Sequence, residues 1–233
     1  MGRTDRPKAW VAWSSGKDSA WALHQLRRRG ELDVVGLLAT ITAPYDRVSM
    51  HGVRVSVLEA QAHAVGLPLQ KVLIPAPCPN EVYETAMRSV LEKAREQGVS
   101  GVAFGDLFLR DLRTYREAQL SRVGMAAHFP LWGLDTRSLA REMMAGGLRA
   151  VVTCLDPCKM PRGLAGSSFD PDFLAALPAG IDPCGENGEF HTCVHAGPML
   201  SRPVPLRVGS TVERDGFVFT DVLLDSPRLG DQT

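Results

Sequence analysis

The sequence predicts an α/β protein: a Rossmann-like parallel sheet in residues 1–130, a smaller C-terminal α/β domain in 131–225, and a frayed tail at 226–233. Three observations lead there. Short apolar runs alternate with helical segments from residue 8 to about 130, the order expected of βαβ units with both sheet faces covered. Gly30, Gly66 and Gly98 each close a helical segment, the position where a left-handed residue ends a helix. A Ser/Gly loop follows the first apolar run and opens the first helix.

The elements read in order as follows. Lys8–Trp13 is a strand rich in β-formers. Asp18–Arg29 is a helix with Ala22, Leu23 and Leu26 on its inner face and Arg27–Arg29 in its last turn. Val34–Thr42 is almost wholly apolar, as a strand buried on both faces is. Arg54–Val65 is helical and ends at Gly66 and Pro68; Leu69–Ile74 is a strand. Pro75, Pro77 and Pro79 stiffen a connector to the helix Glu81–Gln97, for which Asn80 is the expected cap. The strand Gly101–Phe104 ends at Gly105-Asp106, followed by a helix at Asp111–Arg122 and a strand at Met125–Phe129. The pattern then changes. A helix at Asp135–Ala145 stops at Gly146-Gly147, and Leu148–Leu155 is a strand. A Gly/Pro/Asp-rich stretch, 156–188, holds a short helix near Asp170–Leu177. Glu189–Val194 alternates as a strand, and Val212–Leu224 is a last strand or hairpin.

Composition sets bounds. The 233 residues carry a formal net charge of zero, which gives no general pull toward nucleic acid or an anionic membrane. No run reaches the roughly 18–20 apolar residues of a membrane span. The N-terminus lacks the long apolar region and small-residue cleavage site of a secretion signal. Five cysteines at irregular spacing do not make a disulfide framework, so a cytoplasmic setting is expected.

The strongest chemical signal is Ser14-Ser15-Gly16-Lys17-Asp18-Ser19 between a strand and a helix. Small residues let backbone N–H groups approach an anion, the helix N-terminus adds partial positive charge, and hydroxyls and Lys17 add donors. A nucleotide phosphate is the expected occupant; the bland alternative is a serine-rich turn that merely caps a helix. A Walker A loop is excluded because Val11 stands where its first glycine belongs and Asp18 where its Ser or Thr belongs. The dinucleotide fingerprint is excluded because only Gly16 of its three glycines is present. The loop resembles the S-G-G-x-D-S PP-loop of the N-type ATP pyrophosphatases, with Ser15 in place of a glycine. That resemblance implies a HUP-like fold and a grip on the β and γ phosphates, which leave together as pyrophosphate.

A second cluster runs from Asp182 to Thr192 and packs three carboxylates, an amide, an imidazole and a hydroxyl around Gly185 and Gly188. On a strand, Glu189, His191, Cys193 and His195 share one face and Phe190, Thr192 and Val194 the other. Such a face could hold an amine, orient ammonia or take up a proton; the alternative is an edge strand with a solvated polar face. Cys184, His191, Cys193 and His195 lack the paired spacing of a structural zinc site. Cys154 and Cys158 are one residue too far apart for a C-x-x-C redox pair. His51, just after the second strand, is a candidate ribose or phosphate contact or a plain loop residue. Trp132 reads as a packing anchor.

Together the loop and this cluster resemble the diphthine–ammonia ligase family, in its bacterial branch. Supporting stretches are Met50-His51, Gln61-Ala62 with Gly66-Leu67-Pro68, Gly105-Asp106 with Arg113–Glu117, Pro130-Leu131-Trp132-Gly133 with Arg141-Glu142-Met143, Leu164-Ala165-Gly166 and Gly197-Pro198. The resemblance implies an active site between two domains, with ATP and Mg²⁺ as cofactors. It implies attack of a carboxylate on the α-phosphate, then displacement of AMP by ammonia. On it, Ser14, Ser15, Gly16, Lys17, Asp18, Ser19, His51 and Gly105 bind the nucleotide, and Asp106 contacts Mg²⁺ or ribose. Asp18, Asp106, Glu186, Glu189, His191 and Thr192 form the catalytic and acceptor set. The acceptor is a small or protein-borne carboxylate, and a homo-oligomer is compatible with the sequence. Two residues depart from the family's E-G-G-E-[FY]-E-T cluster: Asn187 replaces a glycine and His191 an acid. Because diphthine carries a quaternary ammonium, an imidazole at 191 points to a less cationic acceptor. Two rival readings are a PP-loop enzyme that modifies tRNA and a non-catalytic ATP-binding regulator.

Overall fold

The computed structural model describes residues 6–225, so the expected tail at 226–233 lies outside the described residues. The chain runs β1 (Lys8–Ala12), α1 (Lys17–Arg29), β2 (Asp33–Thr42), β3 (Arg47–Val48), α2 (Val55–Val65), β4 (Leu69–Ile74), α3 (Asn80–Glu96), β5 (Val99–Ala103), α4 (Arg110–Arg122) and β6 (Ala126–His128). It continues with α5 (Thr136–Ala145), β7 (Arg149–Leu155), α6 (Pro171–Ala176), β8 (Phe190–Ala196), β9 (Leu206–Arg214) and β10 (Phe217–Leu224).

β1, β2, β4, β5 and β6 form the expected HUP-like parallel sheet in the order β4-β2-β1-β5-β6. β3 adds two antiparallel residues against the end of β2. The chain builds outward from β1 through β2 to β4, then crosses to β5 and β6. The strand order therefore reverses between β1 and β5, and the carboxyl ends there are where open α/β sheets bind ligands. Alternation along the strands divides the interior in two. Val11, Trp13, Leu37, Ala39 and Ile41 face one core with α1 and α2. Trp10, Leu38, Val72, Val102 and Phe104 face the other with residues of α3 and α4.

The second sheet is antiparallel, β8-β7-β10-β9. It shares the first of those cores: Val152, Leu155, Phe190, Val194 and Val222 belong to the same buried cluster as Val11 and Leu58. Polar ties reinforce the junction. Asp221 of β10 accepts from Arg54 at 2.6 Å and Arg47 at 2.9 Å, and Arg27 donates to Met199 O and Val65 O.

Local expectations fail at four points. Pro79, not Asn80, caps α3, and Asn80 is its first helical residue. Val212–Leu224 is a hairpin whose first strand starts at Leu206, because β9 pairs with β10 from Leu206↔Leu224 onward. Its exposed, partly polar alternation hides it from a hydrophobicity reading. β3 is too short to carry any period. Glu189 precedes β8 rather than starting it, and a register shift between Val152 and Cys154 disturbs the expected alternation opposite β8.

Candidate active site

The phosphate loop leaves β1 at the sheet's switch point. Ser15 turns it with φ 70°, a conformation that costs a residue other than glycine about 1 kcal/mol or more. Two bonds hold that turn from outside the loop. Ser15 O accepts from Val194 N at 2.9 Å and from Gln61 Nε2 at 3.2 Å. Gln61, fully buried, also donates to Val194 O at 2.6 Å and accepts from Trp13 Nε1 at 3.0 Å. One amide thus links the end of β1, the loop, α2 and β8. Ser15 itself is fully buried, so the loop presents its backbone there, with Ser14 and Ser19 supplying hydroxyls to the cleft.

Helix α1 starts at Lys17, and its first N–H groups have no intrahelical acceptor. Lys17 N donates to Thr192 Oγ1 at 3.1 Å. The N–H groups of Asp18 and Ser19 keep no acceptor among the described residues, which suits an anion at the helix N-terminus. Gly105 abuts this end: a Cβ there would lie 2.7 Å from Asp18 C and 2.8 Å from Ser19 N. Gly16 serves in a similar way, since its Cβ would lie 2.9 Å from His51 Cε1. The His51 ring rests on the loop because residue 16 has no side chain.

Lys17 lines the cleft, but its ammonium is drawn inward. Its side chain is 2% exposed, and its ammonium is paired with Asp18 at 2.7 Å. It also donates to Cys184 O and lies 5.6 Å and 5.4 Å from the Phe169 and Phe190 ring centroids. Burial works against the ammonium, but Asp18, Cys184 and Asp182 together outweigh it and the Lys17 pKa is raised, so the group stays charged.

A cleft of about 660 Å³ opens above the loop, within the size range of small-molecule sites. Ser14, Lys17, Asp18, Ser19, His51, Gly105, Asp106, Glu186, His191 and Thr192 all line it. Residues far apart in sequence therefore meet as expected. Ser15 and Gly16 do not line it, and neither does Glu189. Glu189 is buried, and its Oε1 accepts from Asp182 N at 3.3 Å and Asn187 Nδ2 at 3.1 Å, so it braces loop 182–189 from within.

Asp106 pairs with Arg116 at 2.6 Å, and Arg116 lies 4.2 Å from the Phe104 ring centroid. Burial pushes the Asp106 carboxyl up and Arg116 pulls it down, with a net rise. Glu186 accepts from Leu107 N at 2.7 Å, just past the end of β5. Burial pushes its carboxyl up to about 7 against the pull of that N–H, and nearby Asp18 and Asp106 add to the rise. His51 and His191 stack with centroids 4.4 Å apart. Burial lowers both, His191 to about 4, so both imidazoles are neutral at pH 7.

Arg116 and Gln61 are the site residues the sequence left without a role; only their place in the family-like stretches hinted at them. Trp132 stacks edge-on with Phe129 beneath Arg113, away from the cleft. Cys184 points to Thr136 O and Cys193 toward Gln61, with burial pushing the Cys193 thiol up to about 12. Among the described residues no three His, Cys, Asp or Glu side chains are grouped to hold a metal ion, and no helix is long and apolar enough to cross a membrane.

The donor set fits a magnesium nucleotide better than a bare one. Lys17 and Arg116 are each offset by a carboxylate, so no unbalanced cation faces the loop. A triphosphate carries about four negative charges, and Mg²⁺ typically binds through one or two carboxylates plus phosphate oxygens. Asp18 and Asp106 are the two aspartates that line the cleft.

Among known protein families, the one described as diphthamide synthase N-terminal domain matches residues 7–127. Among curated proteins none matches the chain.

Proposed function

We propose, from the premise that the chain belongs to the family of the diphthamide synthase N-terminal domain, that it adenylates a carboxylate and amidates it with ammonia. The family is one of ATP-utilising enzymes of the PP-loop class. The amidation and its acceptor are the proposed part. One observation carries the reading: the phosphate loop and the segment Gly185–Thr192 line one cleft side by side, bonded through Lys17 N and Thr192 Oγ1.

On this reading the N–H groups of Asp18 and Ser19 and the hydroxyls of Ser14 and Ser19 hold the leaving pyrophosphate. Asp18 and Asp106 take Mg²⁺, which supplies charge neutralisation at the phosphates. The acceptor carboxylate attacks the α-phosphorus, the bond to pyrophosphate breaks, and ammonia then displaces AMP. Glu186, with its carboxyl near 7, takes the proton that ammonium or the attacking amine must lose. His51 and His191, both neutral, line the acceptor side and favour an acceptor without a quaternary ammonium.

The test is product analysis of ATP turnover with Mg²⁺ and ammonium, with and without pooled metabolite extract. AMP and pyrophosphate that depend on the extract are expected. ADP and phosphate would refute the reaction, and ATP binding without turnover under any acceptor would favour a regulatory protein.

A further inference from the structure

An open groove of about 830 Å³ lies on the second part of the molecule, outside the cleft. One bank is helix α5, with Arg137 and Arg141 one turn apart and Arg149 just beyond its end. The other is mostly apolar, with Leu174, Pro178 and Ile181, and carries one carboxylate, Asp170. Like charges at this helical spacing repel, and the exposed Asp135 at the helix start is a carboxylate that acts on both. Among the described residues neither Arg137 nor Arg141 forms an ion pair. Asp135 accepts from Ser138 N, Glu142 from Gln25, and Asp170 from Phe173 N; these neutral donors leave the carboxylates charged, and the residues that line the groove set three arginines against one aspartate. Arg149 differs, because its guanidinium donates to Met144 O and Leu148 O and so closes α5.

We propose that this groove binds an acidic, extended peptide segment of a partner protein, with acidic and apolar residues alternating. The spacing supports it. Arg137 and Arg141 are about 6 Å apart along the helix axis. Alternate side chains of an extended peptide are about 6.6 Å apart and share one side. Two acids at that spacing meet both guanidiniums, while the residue between them turns to the Leu174–Ile181 bank. The protein as a whole has no net charge, so attraction of an acidic segment is a local property of this bank. A nucleic acid fits less well. Single strands are held by exposed aromatic faces, and the one aromatic residue of the groove, Phe169, is buried.

The test measures binding by the full chain directly and needs no turnover, so its failure leaves the proposed reaction untouched. The probe is a fluorescein-labelled peptide of about ten residues alternating Glu with Leu, long enough to line such a groove. A saturable rise in anisotropy is expected, with none for the matching Gln–Leu peptide. The double variant Arg137→Glu/Arg141→Glu should weaken binding about tenfold or more with unchanged thermal unfolding. The neutral pair Arg137→Gln/Arg141→Gln should give a smaller loss in the same direction and guards against misfolding of the first. Lys93→Glu, on the distant helix α3, should leave binding unaltered. No saturable binding, undiminished binding by both double variants, or displacement of the probe by oligouridylate at lower concentration than by unlabelled peptide overturns the proposal.

Discussion

Replacing Gln61 examines how the phosphate loop is held. Its amide satisfies Trp13 Nε1 and Val194 O and gives Ser15 O a second donor. In Gln61→Ala, Ser15 O keeps Val194 N, but Trp13 Nε1 loses its side-chain partner and Val194 O keeps only the long Cys193 Sγ contact at 3.9 Å. Each buried orphan costs about 1–3 kcal/mol, so the pair costs about 4 kcal/mol before any cavity is counted. That is a large share of the 5–15 kcal/mol typical of a domain and corresponds to a fall in melting temperature of about 8–16 °C at this size. Two further variants separate the causes. Gln61→Leu leaves the same orphans while filling the space, so it should recover only the cavity part. Gln61→Glu keeps the acceptor for Trp13 but sets carboxylate oxygens against Ser15 O and Val194 O, and should be the least stable near neutral pH. Urea unfolding followed by Trp fluorescence reads all three. If Gln61→Ala lies within about 1 kcal/mol of the wild type, the amide does not hold the loop, and the argument from hydrogen bonds is wrong.

Gly105→Ala puts a methyl 2.7–2.9 Å from Asp18 and Ser19 backbone atoms; a displacement of about 1 Å at the helix start should lower turnover roughly a hundredfold, and wild-type ATP affinity by calorimetry would contradict the close-approach role. Asp18→Ala strips the partner from a buried ammonium and should cost about 3 kcal/mol of stability, so Asp18→Asn is the cleaner probe: it should remain folded by circular dichroism yet lose turnover. Glu186, raised to about 7 from 4.5, holds its proton more tightly when folded, so stability is greatest below the unfolded value and declines as pH rises toward 7. Glu186→Gln should remove that decline in melting temperature between pH 4.5 and 7, and flatten the rise of turnover with a midpoint near 7; an unchanged turnover profile would exclude it as the proton acceptor. His191→Glu restores an acid beside His51 and should shift acceptor preference toward cationic carboxylates, measured as a ratio of kcat/KM; an unchanged ratio removes the imidazole from substrate choice.

The legible part of this protein was the part with short-range causes. Loop 14–19 declares itself because small residues, a lysine and an acid sit between a β-rich run and an amphipathic helix. Gly105-Asp106 is found because the end of β5 must lie beside the end of β1 in such a sheet. What escaped depends on distant partners. Lys17 is legible as a charge beside the phosphate loop, but not the Phe169 and Phe190 rings and Cys184 O, more than 150 positions away, that surround its ammonium. Glu189 looks like a site carboxylate only on a strand that includes it, whereas β8 begins at Phe190 and the bend before it brings Asp182 N onto the Glu189 carboxylate. β9 has no apolar face to read, since most of its residues are exposed at the edge of the second sheet.

These distant partners also decide how the cleft works as a unit. The family match covers residues 7–127, yet the loop in that stretch is shaped by residues beyond it. Lys17 is bonded at both ends to the segment 184–192: its N–H to Thr192 Oγ1 and its ammonium to Cys184 O. Asp18, on the cleft side, is the counter-ion of that same ammonium. A cation or phosphate that draws on Asp18 therefore changes the balance at Lys17, and through Cys184 O it bears on Gly185 and Glu186. Glu186 in turn is held by the N–H of Leu107, next to Asp106 and its ion pair with Arg116. The path closes on itself around the cleft: phosphate loop, Lys17, loop 184–186, the turn after β5, and back to the helix start through Gly105. Short polar contacts thus join the phosphate loop to loop 184–186 and that loop to the turn after β5, and close packing at Gly105 returns the turn to the helix start.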